Sequence, residues 1–404
     1  MSRLKFPAGF LWGASTASHQ VEGGNHNNWS EWEESPQRLA QLEKDGLLAR
    51  YGKDSFISGI AADHYNHYEE DFRLAKELGH TATRISIEWS RVEPREGHFD
   101  PEAIHHYRSV ISSIRKHGME PFVTLWHWTM PIWFRDKGEF QNKANAGYFT
   151  RFAEKMASEF TDVTFWVTLN EPEVYTFHGY LDGTWPPQKK SLIQALRVIH
   201  NLIYAHRLGR EKIKKANPAA RVGIAKHNIY FEAYQERLWN VLLKKLTDWG
   251  WNCYFLNHLS GAQDFIGLNQ YFHNRINGKT NQNDNLQVSD MGWELYPEAM
   301  YYALRDLKRY QLPIYVTESG LADEGDRQRL WFIKETLKNV HRAISEGVDV
   351  RGYLHWSLMD NFEWDKGFWP RFGLVAIDYS TQKRTPRPSA WAYKDICQDN
   401  GFEA

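Results

Sequence analysis

Eight short apolar or β-branched runs recur along the chain, at residues 10–14, 82–87, 121–125, 164–169, 222–225, 265–268, 314–317 and 353–356. Helical periodicity fills the segments between them. Tyr65, Tyr68, Phe72, Ala75 and Leu78 fall on one face, as do Ile104, Tyr107, Ile111 and Ile114, and later Leu330, Ile333, Leu337, Val340 and Ile344. Strand and helix alternating eight times predicts a parallel sheet closed into a single (β/α)8 TIM barrel. An open doubly wound sheet is the alternative, weakened because no Gly-rich phosphate turn follows the first run. No linker, low-complexity tract or repeat divides the sequence, so one domain is expected over residues 1–404. The polar or Gly- and Pro-punctuated stretches 29–62, 179–190 and 273–291 read as βα loops walling a site.

In such a barrel the site lies where the strands end. The ends of the eight runs carry, in order, Gln20 and Glu22; Arg84, Ser86 and Glu88; His127 and Trp128; Asn170 and Glu171; His227 and Asn228; Asn269 and Tyr271; Glu318; and Trp356, with Glu363 and Trp364 shortly after. A ring of polar groups converging in this way suits a polyhydroxylated ligand. Two of its members, Glu171 of TLNEP and Glu318 of VTESG, each follow a β-branched run, the fourth and the seventh. A carboxyl pair can cleave a sugar acetal, one member protonating the leaving oxygen and the other meeting the positive charge at the anomeric carbon.

Composition narrows the class. The 404 residues are 42% hydrophobic, and 49 Lys and Arg face 50 Asp and Glu for a net charge of −1. No concentrated positive charge is present to draw nucleic acid or an anionic membrane surface. Cys253 and Cys397 alone make no disulfide framework. The opening MSRLKFPAGFLWG lacks the apolar stretch of a signal peptide, and no window reaches the ~18 apolar residues of a membrane span, so a cytoplasmic protein is expected. Eighteen tryptophans stand out. Flat indole faces suit the C–H faces of pyranose rings, and the indole N–H can bond a hydroxyl. His64 and His67 share a helix without a third ligand at metal-site spacing, and His105 and His106 point apart, so no metal or other cofactor is expected.

Seven motifs in order give the chain a resemblance to glycoside hydrolase family 1, the β-glucosidase and β-galactosidase family. They are FLWGASTASHQVEG from Phe10, RISIEWSRVEP from Arg84, TLWHW from Thr124, TLNEP from Thr168, DFIGLNQY from Asp264, VTESG from Val316 and GYLHWSLMDNFEWDKGFWPRFGL from Gly352. The resemblance implies a retaining β-glycosidase acting on non-reducing-terminal β-D-glucosides, with some tolerance for β-galactosides or β-fucosides. Glu171 would be the acid/base and Glu318 the nucleophile, supported by Arg84, Tyr271 and Asn269. Gln20, His127, Trp128, Asn170, Trp356, Glu363 and Trp364 would bind the glycone. A retaining pair requires carboxyls ~5–5.5 Å apart.

The implied partner is a small β-glycoside, while no motif speaks to oligomeric state. The 6-phospho-glycosidases of the family carry a small hydroxyl residue where this chain has Glu363, and a tyrosine where it has Phe372, so an uncharged glycone is expected. Transglycosylation through the same intermediate is a second reading, and a non-catalytic sugar-binding barrel a third, disfavoured because both glutamates are present. Three departures from the family pattern are Thr129 in place of aspartate, Gln270 interrupting an NYY run, and a short connection over residues 235–264. That shortening should thin the wall on the leaving-group side.

Overall fold

The computed structural model describes residues 3–403. All eight expected strands are present: β1 (Leu11–Ser15), β2 (Ala82–Ser86), β3 (Glu120–Trp126), β4 (Phe165–Asn170), β5 (Arg221–Ala233), β6 (Phe265–Asn277), β7 (Ile314–Glu318) and β8 (Val350–Trp356). Each pairs in parallel with its neighbours, β8 pairs with β1, and β5 pairs with β6, so the sheet closes. Eight helices follow in turn: α1 (His64–Glu77), α2 (Pro101–Lys116), α3 (Ala146–Glu159), α4 (Leu192–Ala216), α5 (Leu238–Asp248), α6 (Glu298–Leu307), α7 (Arg329–Ser345) and α8 (Pro388–Asp399).

Helix α2 shows how local sequence sets these elements. Asp100 caps it by accepting from the N–H groups of Glu102 and Ala103, and Pro101 occupies its first turn, where a missing N–H costs nothing. Ala103, Ile104, Tyr107, Val110, Ile111 and Ile114 then bury one stripe against the sheet. Gly118, at φ +71°, ends the turn that follows.

Strand alternation fills the barrel in layers. At the floor Phe122 stacks on Phe165 with centroids 4.3 Å apart, and Phe265 and Tyr315 pack edge-on against that pair. Truncating Phe122, a fully buried ring, to alanine would cost about 3–5 kcal/mol. Further along the strands the interior turns polar. Arg84 Nε donates to Thr124 Oγ1 at 2.9 Å, and Thr317 Oγ1 donates to Asn269 Oδ1 at 2.6 Å. An apolar floor beneath a hydrogen-bonded layer therefore carries the site at the C-terminal rim.

The structure departs from the sequence expectations at the ends of β5 and β6 and in the stretches expected as loops. Strands β5 and β6 run well beyond 225 and 268, pairing in parallel as far as Ala233 and Ile276. His227 and Asn228 read as the polar end of a strand, yet a register shift between Asn228 and Tyr230 carries the ladder on as a wall. Stretch 29–62 is not a plain loop, for helices Asn28–Glu33, Pro36–Lys44 and Leu47–Tyr51 occupy it. Their signals were in the sequence: a capping box from Asn27 to Ser30, and Ser35 capping a helix that opens on Pro36. Stretches 179–190 and 273–291 likewise begin in regular structure, as the end of the Phe177–Asp182 helical turn and of β6. Among the described residues no helix is long and apolar enough to cross a membrane.

Candidate active site

A pocket of about 710 Å³ opens at the C-terminal rim, in the size range of small-molecule sites. Of the twelve residues expected there, His127, Trp128, Glu171, Tyr271, Glu318, Trp356, Glu363 and Trp364 line it. Arg84, Asn170, Asn269 and Gln20 lie directly behind and hold that lining in place. Arg84, fully buried, donates through one guanidinium nitrogen to Glu318 Oε1 and through the other to Asn170 Oδ1 at 2.7 Å. Tyr271 OH donates to the second oxygen of Glu318 at 2.8 Å. Asn269 Nδ2 donates to Glu171 Oε1 at 2.7 Å and to Asn170 Oδ1 at 3.2 Å. The two carboxyls thus belong to one hydrogen-bonded network.

Local backbone aims these groups. Glu171 sits at φ +43°, Trp128 at +72° and Trp364 at +48°, left-handed conformations that cost roughly 1–3 kcal/mol each for residues with a Cβ. Pro172 starts a short helix immediately after Glu171, fixing the turn that lifts the carboxyl over the barrel mouth. A register shift between β6 and β7 brings Asn269 level with Glu318. Gly320 follows because a Cβ there would lie 1.8 Å from the Trp356 carbonyl oxygen.

The carboxyls differ in environment. Burial raises Glu171 well above the ordinary carboxylate range, and the Glu318 charge raises it further; Asn269 and Arg84 only partly offset this. Burial also raises Glu318, but Arg84, Tyr271 and Asn269 all pull it back down. Arg84 and Tyr271 bond Glu318 directly, whereas Glu171 takes the Asn269 amide. Glu363 is pushed up to about 8, first by burial and then by the charges of Asp365 and Glu318.

Two polar atoms, one in the lining and one just behind it, are buried without a partner. Burial, together with the charge of Arg84, holds His127 well below the usual histidine range, so its ring is neutral. Its Nε2 accepts from Asn170 Nδ2 at 3.0 Å, which leaves the proton on Nδ1, a buried atom without a partner. Gln20 spends its amide nitrogen on Asn361 Oδ1, the Phe362 carbonyl and Glu363 Oε2, leaving Oε1 unpaired and buried. A free donor, a free acceptor and the Glu363 carboxyl can take the hydroxyls of a ligand, while Trp356 supplies an aromatic face.

Not every residue at the strand ends reaches the pocket. Glu22 accepts from Tyr107 OH at 2.9 Å and pairs with Arg91, and Glu88 accepts from Ser18, Ser90 and Thr129, so both brace loops from behind. Thr129 is thereby explained, because an aspartate facing buried Glu88 would repel it where the hydroxyl donates at 2.8 Å. His64 pairs with Asp71 and His67 with the Asp63 carbonyl, and His106 stacks on Tyr65 at 3.6 Å. Trp185, Trp251, Trp293 and Phe177 also line the pocket and were not singled out in the sequence. The one signal available for the three tryptophans was the tryptophan count, and Phe177 had none.

The family model for Glycosyl hydrolase family 1 matches residues 2–255 and 235–402. A 1,4-beta-D-glucan glucohydrolase of Thermotoga neapolitana is 31% identical over 454 residues, covering 98% of this chain and 99% of the relative. Among solved structures, the beta-glycosidase from Pyrococcus horikoshii superposes with a TM-score of 0.90 at 35% identity, covering 100% of this chain and 97% of that one. The beta-glucosidase from Thermotoga maritima in complex with glucoimidazole gives a TM-score of 0.91 at 30% identity, covering 99% and 100%. With the barrel closed and a carboxyl pair at the ends of β4 and β7, the chain belongs to glycosyl hydrolase family 1.

Proposed function

We propose that the protein is a retaining β-glucosidase in which Glu171 is the acid/base and Glu318 the nucleophile. Glu318 attacks the anomeric carbon, the glycosidic C–O bond breaks, and the leaving oxygen takes the proton of Glu171. A water then attacks the same carbon, Glu171 takes its proton, and the bond to Glu318 breaks to release the sugar. The observation that carries this reading is the unequal pair: Glu171 is raised by burial and by its neighbour's charge, whereas Glu318 is held by Arg84 and Tyr271. Two inversions at one carbon return the starting configuration.

Gln20, His127, Asn170, Glu363 and Trp364 bind the glycone hydroxyls on this reading, Trp128 closes that end, and Trp356 is the platform. Support comes from the unpaired Gln20 Oε1 and His127 Nδ1, and from the T. maritima structure whose ligand is glucoimidazole. Glu363 and Phe372 in the lining favour an uncharged sugar over a 6-phosphate. The chain acts as one catalytic domain, in keeping with a family match over nearly its whole length. Its buried free cysteines, Cys253 and Cys397, suit a reducing cytoplasm.

The test compares wild type, Glu171→Gln and Glu318→Gln on aryl β-glucoside, aryl β-galactoside and aryl 6-phospho-β-glucoside. Wild type should cleave the glucoside best, the galactoside more slowly and the phosphorylated sugar not at all, and Glu318→Gln should be inert. Cleavage of the 6-phosphate alone would refute the reading of Glu363, and near-normal turnover by Glu318→Gln would refute the nucleophile.

A further inference from the structure

Behind Glu171 two opposite charges are buried outside the pocket. Glu173, two residues further along the chain, is 7% exposed, and Lys226 on β5 is fully buried. Glu173 Oε1 lies 3.3 Å from Lys226 Nζ. Neither oxygen of that carboxylate accepts a hydrogen bond, while the ammonium donates to the carbonyls of His227 and Trp251 at 2.6 and 2.8 Å. The link between Glu173 and Lys226 is therefore one of charge.

Local structure puts the pair there. Ala225 joins Phe122, Phe165 and Phe265 inside the barrel, so Lys226, next on the strand, points outward toward Glu173. The carbonyl of Ala225 also holds the acid's backbone, accepting from Glu171 N at 2.8 Å. Pro172 opens the short helix Pro172–Thr176, and Glu173 is its second residue. Neither side chain lines the catalytic pocket, so neither touches substrate. A buried ion pair adds little net stability, because desolvation offsets the attraction, and two apolar side chains would fill the space as well.

Removing either partner has a definite electrical consequence. An ammonium or a carboxylate left alone in such a place gives up its charge rather than stay buried and unpaired. Glu173→Gln would leave Lys226 neutral, and Lys226→Met would leave Glu173 protonated. Both routes end with no charge behind Glu171. The other titratable groups near the acid are Arg84 on β2, Tyr271 on β6 and Glu318 on β7. Around Lys226 are His227, which burial lowers to about 3 and so leaves neutral, and Cys253, whose thiol burial raises.

Resting on the glycosidase reading above, we infer that Glu173 is a positioning residue for the acid/base: its carboxylate keeps the Lys226 ammonium charged behind Glu171, and the ammonium stabilises the ionised Glu171 that acts as base when water attacks. The sign follows from the charge. A cation behind the acid favours its carboxylate, so without the pair Glu171 holds its proton to higher pH.

The experiment measures kcat/KM for methyl β-glucoside against pH with wild type, Glu173→Gln, Lys226→Met and the double variant, each checked by a thermal melt. All three variants should carry the alkaline limb about one pH unit above wild type, the low end of what a neighbouring opposite charge does, with the acid limb nearly in place. The three shifts should be equal rather than additive, because every route leaves the same uncharged site. The double variant leaves no lone buried charge, and it carries the test if a single variant fails to fold. A wild-type alkaline limb in Glu173→Gln or in the double variant, or a double shift equal to the sum of the two single shifts, overturns the inference. Carboxyl infrared difference spectra, each protein against its Glu171→Gln counterpart, follow the same proton without turnover. Equal upward shifts there, in a protein that cleaves no glucoside, support the role of Glu173 and overturn the glycosidase reading instead.

Discussion

Asn269 donates through Nδ2 to Glu171 Oε1 at 2.7 Å, and its amide cannot flip because Oδ1 is already taken by the Thr317 hydroxyl at 2.6 Å. Thr317 immediately precedes Glu318, so the acid's orientation is tied to the strand that carries the nucleophile. Asn269→Ala should lower kcat/KM on an alkyl glucoside by about 10²-fold, the scale of a small misplacement of a reacting group. Steady-state kinetics with a thermal melt checks this, and a rate unchanged in a folded variant would remove Asn269 from the mechanism.

Loss of the acid should depend on the leaving group. Glu171→Gln should cut turnover of alkyl glucosides by about 10²–10⁴-fold while sparing the first step with a dinitrophenyl glucoside, whose oxygen leaves without a proton. Pre-steady-state kinetics would show a burst of phenolate with the activated substrate. A uniform loss across leaving groups would contradict the acid role.

The pH profile should respond to a residue outside the pocket. Activity requires ionised Glu318 and protonated Glu171, so it falls at low pH as Glu318 takes a proton and at high pH as Glu171 loses one. Buried Lys226 donates to the carbonyls of His227 and Trp251 at 2.6 and 2.8 Å, and its charge lowers Glu171. Lys226→Met should therefore move the alkaline limb to higher pH and leave the acid limb nearly in place. A fixed alkaline limb in the pH dependence of kcat/KM would show that Lys226 only braces the fold.

Arg84 is bidentate between Glu318 and Asn170, a geometry that an ammonium cannot reproduce. Arg84→Lys should keep the charge yet lower kcat by about 10²-fold, with Asn170 and His127 released together. Turnover close to wild type would mean that charge alone suffices.

The barrel and its pair of glutamates were legible because both depend on local pattern. β-Branched runs of four to six residues mark buried parallel strands, and a glutamate ending such a run is placed by barrel geometry alone. Arg84, Asn170 and Asn269 were expected as members of the site, but their role behind the lining could not be read, because three strands distant in sequence must first meet. Trp185, Trp251 and Phe177 left even less trace, lying in segments whose structure depends on packing. Strands β5 and β6 were cut short for a related reason: beyond the rim they alternate around polar residues, and only the partner strand shows that the ladder continues.

Acid stability gives a test independent of catalysis. Burial lowers His80 to about 3, and neither of its ring nitrogens has a hydrogen-bond partner. An unfolded histidine titrates near 6.5, so the unfolded chain takes up a proton that the folded one refuses. The neutral ring's contribution is complete above pH ~6.5 and is lost as pH falls toward about 3. His80→Phe should remove roughly 3 kcal/mol of the stability lost between pH 7 and 4. Urea midpoints at the two pH values test this, and an equal loss in wild type and variant would contradict it.

The unequal roles of Glu171 and Glu318 are tested most directly by trapping the glycosyl-enzyme. A 2-deoxy-2-fluoro-β-glucoside with a dinitrophenyl leaving group destabilises the positively charged transition states, and the good leaving group lets the first step outrun the second. Peptide mass mapping should then find one fluoroglucosyl group on the fragment carrying Glu318, and none on Glu318→Gln. Label on Glu171, or full turnover without any covalent adduct, would contradict the assignment.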